Sequence, residues 1–319
     1  MERPHQDVVL LTGASVGLGL AIARQLIAQT DHRLILTARA GSLSRFGAAG
    51  IVENERIHLR PLDVTSEEQR QAIIDEADRE WGGVDVLINN AGVSYRSVVE
   101  HVDDNDRLRQ MDINFRSPME LIRLVLPAMR RKRRGRIINI SSVGGMMAMP
   151  TMGVYSASKF ALEGASEALW YEVRPWNIRV SLVQPGFIHS ESFKNVRFTD
   201  RSQNAITHEE EPYHAHYAYM EPFIGRMMRM TWATPERVAR TVLRTMRRRR
   251  PPLRVPGTLD ARLFSWLRRL LPRRVYHWFL YINLPRVWRW GPAKTTGSVL
   301  DNPRLPELNT ASTEELARF

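Results

Sequence analysis

Short apolar runs recur along the first two thirds of the chain, each leading through small or polar residues into a segment with helical spacing of its apolar positions. Val8–Leu11, Arg33–Thr37, Ile57–Leu62, Val84–Ile88, Ile137–Ile140 and Arg179–Val183 read as buried strands. Leu20–Ala28, Glu67–Trp81, a long segment from about Asp106 to Arg131, and the segment carrying Val154–Lys159 read as the helices between them. Such alternation predicts six βα units in an α/β fold: a doubly wound parallel sheet, the Rossmann-type three-layer sandwich, with connections on both faces.

The pattern changes after Arg247–Arg248–Arg249–Arg250–Pro251–Pro252. Between Leu259 and Trp290 lie four of the eight tryptophans, seven arginines (262, 268, 269, 273, 274, 286 and 289) and a single carboxylate, Asp260. Apolar residues at 259, 263, 266, 267, 270 and 271 have helical spacing. The chain therefore divides into a Rossmann-type domain at 1–256, a basic, tryptophan-rich helical extension at 257–290, and a loosely ordered tail at 291–319 whose Pro, Thr, Gly and acidic residues do not suit a packed core. Val275–Leu284, interrupted by His277 and Asn283, is too short to span a bilayer. The extension suits peripheral contact with a membrane surface through 259–290, and equally a cap over the cleft or on a second subunit; nucleic acid is the weakest of the three partners. If a last parallel strand lies near Leu253–Val255, the extension leaves the sheet at the edge where ligands bind. The clusters at Arg130–Arg136 and Arg247–Arg250 precede strands and fall at the opposite edge.

Composition narrows the chemistry. Cysteine is absent from the 319 residues, which excludes disulfides, thiolate zinc sites and thiol nucleophiles and fits a reducing, cytoplasmic location, with or without membrane association. Met1–Asp7 is polar and runs straight into a strand too short for a signal-peptide core. The net charge of +12 exceeds what a metabolic enzyme requires and favours an acidic or anionic partner. His208, His214 and His216 beside Glu209–Glu211 read as a polar surface loop, and no metal is expected.

The strongest chemical signal is Tyr155 and Lys159, one helical turn apart, with Ser142 upstream and Asn114 further back. A phenol ionises near pH 10 and is a poor base at neutrality. A cation on the same helix face, roughly 4 Å away at an effective dielectric of ~20, gives ~4 kcal/mol, or about three pKa units, and brings it toward neutrality. Only four of the 46 basic residues are lysine, so a lysine here is selective in an arginine-rich chain. A compact ammonium fits under a ribose and beside a phenolate where a guanidinium does not. At the other end, Thr12–Gly13–Ala14–Ser15–Val16–Gly17–Leu18–Gly19 joins the first strand to a helix, the context in which glycines admit a pyrophosphate to a helix N-terminus. The second strand ends in Ala38–Arg39 with no carboxylate beside it, which favours NADP over NAD because arginine accommodates a 2′-phosphate.

From Val8 to Met246 the chain resembles the classical short-chain dehydrogenase/reductase family, through Thr12–Gly13-x-x-x-Gly17-x-Gly19, Asp63–Val64, Asn89–Asn90–Ala91–Gly92, Asn114, Ser142, Tyr155-x-x-x-Lys159 and Pro185–Gly186. The resemblance implies hydride transfer with Tyr155 as acid/base, Ser142 hydrogen-bonded to the substrate oxygen, Lys159 on the nicotinamide ribose and Asn114 orienting a relay water. It also implies cofactor contacts from Thr12, Gly13, Ser15, Gly17, Leu18, Gly19, Arg39, Asp63, Val64, Asn89, Ala91, Gly92, Tyr155, Lys159, Pro185, Gly186, Ile188 and Ser190, the last standing where the family commonly has threonine. A homodimer or homotetramer is implied as well. Of the pair Ser141–Ser142, the thirteen-residue spacing to Tyr155 selects Ser142.

Between Phe187 and Trp232 lies a long stretch with Phe193, Phe198, Tyr213, Tyr217, Tyr219, Phe223 and several methionines, which suits a bulky lipophilic substrate and equally a lid packed on the core. The reading is an NADP-preferring oxidoreductase, with NAD as the second option, interconverting a carbonyl and an alcohol on a lipophilic molecule. The competing reading is a Rossmann scaffold that docks on an acidic or lipid surface with vestigial catalysis; keeping Tyr155, Lys159 and Ser142 in register argues against it.

Overall fold

The computed structural model describes residues 6–189 and 196–291. Seven parallel strands form one sheet: β1 Val8–Leu11, β2 Arg33–Ala38, β3 Ile57–Pro61, β4 Val86–Asn89, β5 Gly135–Ile140, β6 Ile178–Gln184 and β7 Arg254–Pro256, in spatial order 3-2-1-4-5-6-7. Strand order reverses between β1 and β4, and the crevice at their carboxyl ends is where such sheets bind ligands. The register sets Leu11 beside both Leu36 and Ile88, and Asn89 beside Asn139, so the polar ends of four strands meet at this crevice.

Alternation of side chains fills two cores. Val9, Leu11, Leu34, Leu36, Ile88 and Ile138 face one side, covered by α1 (Gly17–Gln29), α2 (Ser44–Ala48) and the helix Pro235–Arg247. Val8, Leu10, Ile35, Leu87, Ile137 and Val180 face the other, covered by α3 (Glu67–Trp81), α5 (Ser117–Lys132) and α6 (Gly153–Glu172). Between α3 and α5, α4 (Asp104–Met111) continues through a π-helical turn, Asp112–Arg116, in which the Ser117 N–H donates to the Asp112 carbonyl. That extra residue per turn swings Asn114, fully buried, toward α6.

The long stretch beyond Phe187 contains two helices, α7 (Asp200–Thr207) and α8 (His214–Met230), followed by α9, the Pro235–Arg247 helix already described. His214 and His216 therefore lie on a helix rather than in a surface loop, and the three histidines bond separately or pack on aromatic rings. Tyr217, 3% exposed, accepts from the Val98 N–H and bonds His101 at 3.0 Å, while the Tyr213 hydroxyl donates to Glu100. These tyrosines fasten the lid to the turn at Val99–His101, as the packing alternative expects of them.

The extension forms α10 (Leu259–Leu270) and α11 (Arg273–Ile282). Phe264, Leu267, Leu271, Tyr276 and Leu280 close over Val143, Met146 and Met147, in the loop that follows β5. Among the described residues no helix is long and apolar enough to cross a membrane. Part of the basic excess is internal. Lys132 and Arg134 pair with buried Asp85, at 2.8 and 3.3 Å, and the Arg136 guanidinium donates to the Arg248 carbonyl.

Candidate active site

Helix α6 presents Tyr155, Lys159 and Glu163 at successive four-residue steps along one face. The Lys159 ammonium, 5% exposed, donates to the Ile140 carbonyl at the end of β5 (2.9 Å) and lies 6.0 Å from the centre of the Tyr155 ring. Ser142 caps the short turn Val143–Gly145, accepting from the Gly144 N–H, and its hydroxyl stands near enough to Tyr155 to act against the rise of the phenol's pKa. A Cβ on Gly144 would press the Tyr155 ring at 3.0 Å, so glycine is what lets the loop bring Ser142 against the phenol. Ser141 points elsewhere, donating to Glu163 at 2.7 Å. The two serines are thus separated by structure as well as by spacing.

The electrostatics differ from the expectation of a phenol near neutrality. Burial pushes the Tyr155 pKa up, and Ser142 offsets this only in part. Burial also lowers Lys159 to about 8, with Glu163 opposing the fall. The Coulomb argument counted attraction and left out desolvation, which in this pocket disfavours the charged form of both groups. Both shifts favour the uncharged forms of the pair.

Asn114 is wholly engaged: its Oδ1 accepts from Val93 N–H (2.9 Å), and its Nδ2 donates to the Val93 carbonyl (2.8 Å) and Ser158 Oγ (3.0 Å). Gly92 leaves the space between them, since a Cβ there would stand 3.2 Å from Asn114 Oδ1 and 3.8 Å from Lys159 Nζ.

Across the crevice, Gly13 and Gly17 have φ of +65° and +53°, and Gly19 packs so closely that a Cβ would meet the Gly13 carbonyl at 2.0 Å. The first turn of α1 has neither an acidic residue nor a side-chain cap, leaving its N–H groups to an anion. Ser15 is buried beside it and Leu18 packs into the core. Exposed Arg39 closes β2, and its charge reaches Asp63. Burial raises the Asp63 pKa, but bonds from the Thr65 N–H and hydroxyl, with Arg39 and Arg109, hold the carboxyl below the usual range. The glycine turn, the open helix terminus and Arg39 fit a phosphorylated dinucleotide along this edge.

Several expected contacts are made through neighbours. The Thr12 hydroxyl, 1% exposed, accepts from the Asn90 and Ala91 N–H groups, so its side chain does not face the crevice. Asn89 alternates onto the face toward α6 and donates to Asn139, which donates to Ser166: a buried polar chain that seats α6, with the Asn89 side chain turned away from the crevice. Val64 packs in the core while its carbonyl takes the Arg70 guanidinium. The Gly186 N–H donates to Thr258 and the Phe187 N–H to Asp260, both at 2.8 Å, and Pro185 accepts from the Val143 N–H; Ile188 packs on the core. Ser190 and Phe193 lie outside the described residues.

Four contributors escaped the sequence reading. Asn90 Nδ2 donates to the Thr12 and Gly13 carbonyls and clamps the glycine turn. Glu163 gathers Ser141, Gln184 and Arg254; its signal was the i+8 position from Tyr155. Thr258 and Asp260, which hold the loop after β6, carried only the signature of a helix N-terminus. Away from the crevice, His58, Glu76 and Glu80 bring ligand atoms within 4.8 Å of one another, but Arg60 pairs with Glu76 there.

The sequence pattern of the family described as short chain dehydrogenase matches residues 7–201. The 3-ketodihydrosphingosine reductase of Bacteroides thetaiotaomicron is 35% identical over 279 residues, 86% of this chain and 97% of that protein. Retinol dehydrogenase 8 of Bos taurus is 32% identical over 257 residues, 77% of this chain and 80% of that one. The crystal structure of a short chain dehydrogenase/reductase from Burkholderia phymatum in complex with NAD superposes with a TM-score of 0.68 at 26% identity, covering 84% of this chain and 95% of that one.

Proposed function

Since the chain belongs to the short-chain dehydrogenase/reductase family, and is thereby an oxidoreductase of CH–OH groups served by a nicotinamide dinucleotide, we propose that it is an NADP-preferring reductase of a carbonyl on a lipophilic molecule. The observation that carries the reading is the half-buried phenol of Tyr155 set beside Ser142, with the buried Lys159 ammonium one helical turn on.

Ser142 donates a hydrogen bond to the substrate oxygen, and Tyr155 delivers its proton to that oxygen as negative charge develops there. The bound dinucleotide supplies the hydride. Lys159 holds the ribose and stabilises the phenolate left behind. The Asn114 amide is held by Val93 and Ser158, and its part in orienting a relay water is carried over from the family likeness. Asp63, Ala91, Gly92 and Ile188 line the course of the dinucleotide. Support for a lipophilic substrate comes from relatives named for two lipids, 3-ketodihydrosphingosine and retinol. A homodimer or homotetramer is carried over from the family likeness alone.

The test is NADPH and NADH oxidation against 3-ketodihydrosphingosine, retinal, a steroid ketone and a long-chain acyl carbonyl, with Tyr155→Phe beside the wild type. The variant is expected to lose about 10²–10⁴-fold in kcat while retaining NADPH affinity. Turnover that survives Tyr155→Phe removes the assignment; NADPH binding with no turnover of any carbonyl favours the docking scaffold.

A further inference from the structure

Helix α10 carries two apolar stripes and has one core to place them in. Phe264, Leu267 and Leu271 turn inward onto the loop after β5. Leu259, Leu263, Trp266 and Leu270 form the opposite stripe and are 75, 56, 61 and 66% exposed. Helix α11 repeats the arrangement. Tyr276 and Leu280 face inward, while Val275, Trp278, Phe279 and Ile282 point out, Trp278 at 62% exposure. A monomer rarely leaves more than roughly a few hundred Å² of contiguous apolar surface in water, and eight large apolar side chains exposed on two successive helices call for a partner.

The charge around the stripes has one sign. Arg262, Arg269, Arg273 and Arg274 are exposed, whereas the sole carboxylate of the two helices, Asp260, is turned inward onto the Phe187 N–H. Arg268 reaches back to the Met146 carbonyl and the face of Phe160. Tryptophans between arginines, above an apolar stripe, match the headgroup boundary of an anionic bilayer, where indole bridges apolar and polar layers and guanidinium meets phosphate. A second copy seated on the same face would set these arginines against their own equivalents, because a two-fold interface brings a patch onto itself.

We infer that the outer face of α10 and α11 is a docking surface for an anionic lipid bilayer. The inner faces of the same helices touch the loop after Ser142 and, through Asp260, the loop after Pro185–Gly186. A docked protein therefore holds the mouth of its active site about one helix diameter, roughly 10 Å, from the lipid. The basic clusters at Arg130–Arg134 and Arg247–Arg250 lie at the amino ends of the parallel strands and take no part.

The experiment is co-sedimentation of the full-length chain with phosphatidylcholine vesicles and with vesicles containing about one third phosphatidylglycerol. Trp266→Ser/Trp278→Ser is compared with Arg248→Ala/Arg249→Ala, and sedimentation velocity is run on all three proteins without lipid. Binding to the anionic vesicles is expected, weakened on the order of tenfold or more by the tryptophan pair and much less by the arginine pair, with melting temperature and turnover of a water-soluble carbonyl unchanged by the former. The inference is overturned if the wild type stays in the supernatant, or if the tryptophan variant pellets equally. It is also overturned if that variant loses a self-associated species while keeping its lipid affinity. The inference does not rest on substrate identity: a chain that reduces a soluble carbonyl and ignores vesicles overturns docking and leaves the enzymatic reading intact.

Discussion

Lys159 should be a residue that the fold would be more stable without. Its ammonium is buried, and its pKa falls from 10.5 to about 8. At 1.36 kcal/mol per pKa unit, holding the charged form in the pocket costs about 3 kcal/mol relative to the unfolded chain. The group is depressed in the folded state, so between pH 8 and about 10.5 the unfolded chain binds more protons and stability rises with pH; the penalty is fully present below pH 8 and relieved above it. Lys159→Met removes the charge and fills similar volume, but takes away the donor to the Ile140 carbonyl, at a cost of about 1–2 kcal/mol. The variant should be about 1–2 kcal/mol more stable than the wild type at pH 7, with catalysis lost, and less stable by about the same amount near pH 10.5. Urea unfolding at the two pH values, without added nucleotide, measures both differences, and other titrating groups cancel in the comparison. A variant that is less stable at pH 7, or a difference that does not change sign with pH, refutes desolvation as the force acting on this lysine.

Arg39→Ala should lower the ratio of kcat/KM for NADPH over NADH by about 10- to 100-fold, the worth of a charged hydrogen bond to a phosphate, with the NADH value little changed; an unaltered ratio ends the NADP assignment. Gly19→Ala puts a Cβ 2.0 Å from the Gly13 carbonyl, so the turn must open, at about 1–3 kcal/mol of stability and with NADPH affinity reduced in a fluorescence titration; unchanged affinity would mean that the pyrophosphate does not lie on this turn. Glu163→Gln removes the charge that opposes the fall of the Lys159 pKa. The alkaline limb of kcat/KM should therefore move to lower pH, whereas a merely structural role would change stability and leave the limb in place.

The parts of the site legible in the sequence are those written within one or two elements. Glycine spacing next to β1 placed the open N-terminus of α1, and one turn of helix set Tyr155 over Lys159. Alternation along β4 also contained the answer for Asn89, which shares the face of Leu87 and so points into the core toward α6; motif resemblance obscured it. Helices α7 and α8 were hidden by composition, with charged and histidine residues around Pro212 and Pro222 inside α8 masking the helical period. The titration of Tyr155 was out of reach because desolvation belongs to the assembled pocket, to which β5, α6 and the loop after Ser142 contribute together. Thr258 and Asp260 meet Gly186 and Phe187 across more than seventy residues, and no local pattern records such a pairing.

That pairing alters what the extension is. Read as a sequence, 257–290 is an appendage that either caps the cleft or meets a membrane, and each alternative excludes the other only if a helix has one apolar face. Helices α10 and α11 have two. Their inner stripe completes the apolar wall beside Ser142, their first turn satisfies two N–H groups of the loop after β6, and Arg268 holds the Met146 carbonyl. Cutting the chain before Thr258 would therefore orphan those N–H groups and uncover Met146 and Met147. It would lower activity on soluble and lipid substrates alike, whatever its effect on lipid binding. Substitutions confined to the outer stripe leave the inner contacts in place, so they alone separate the extension's part in docking from its part in building the site.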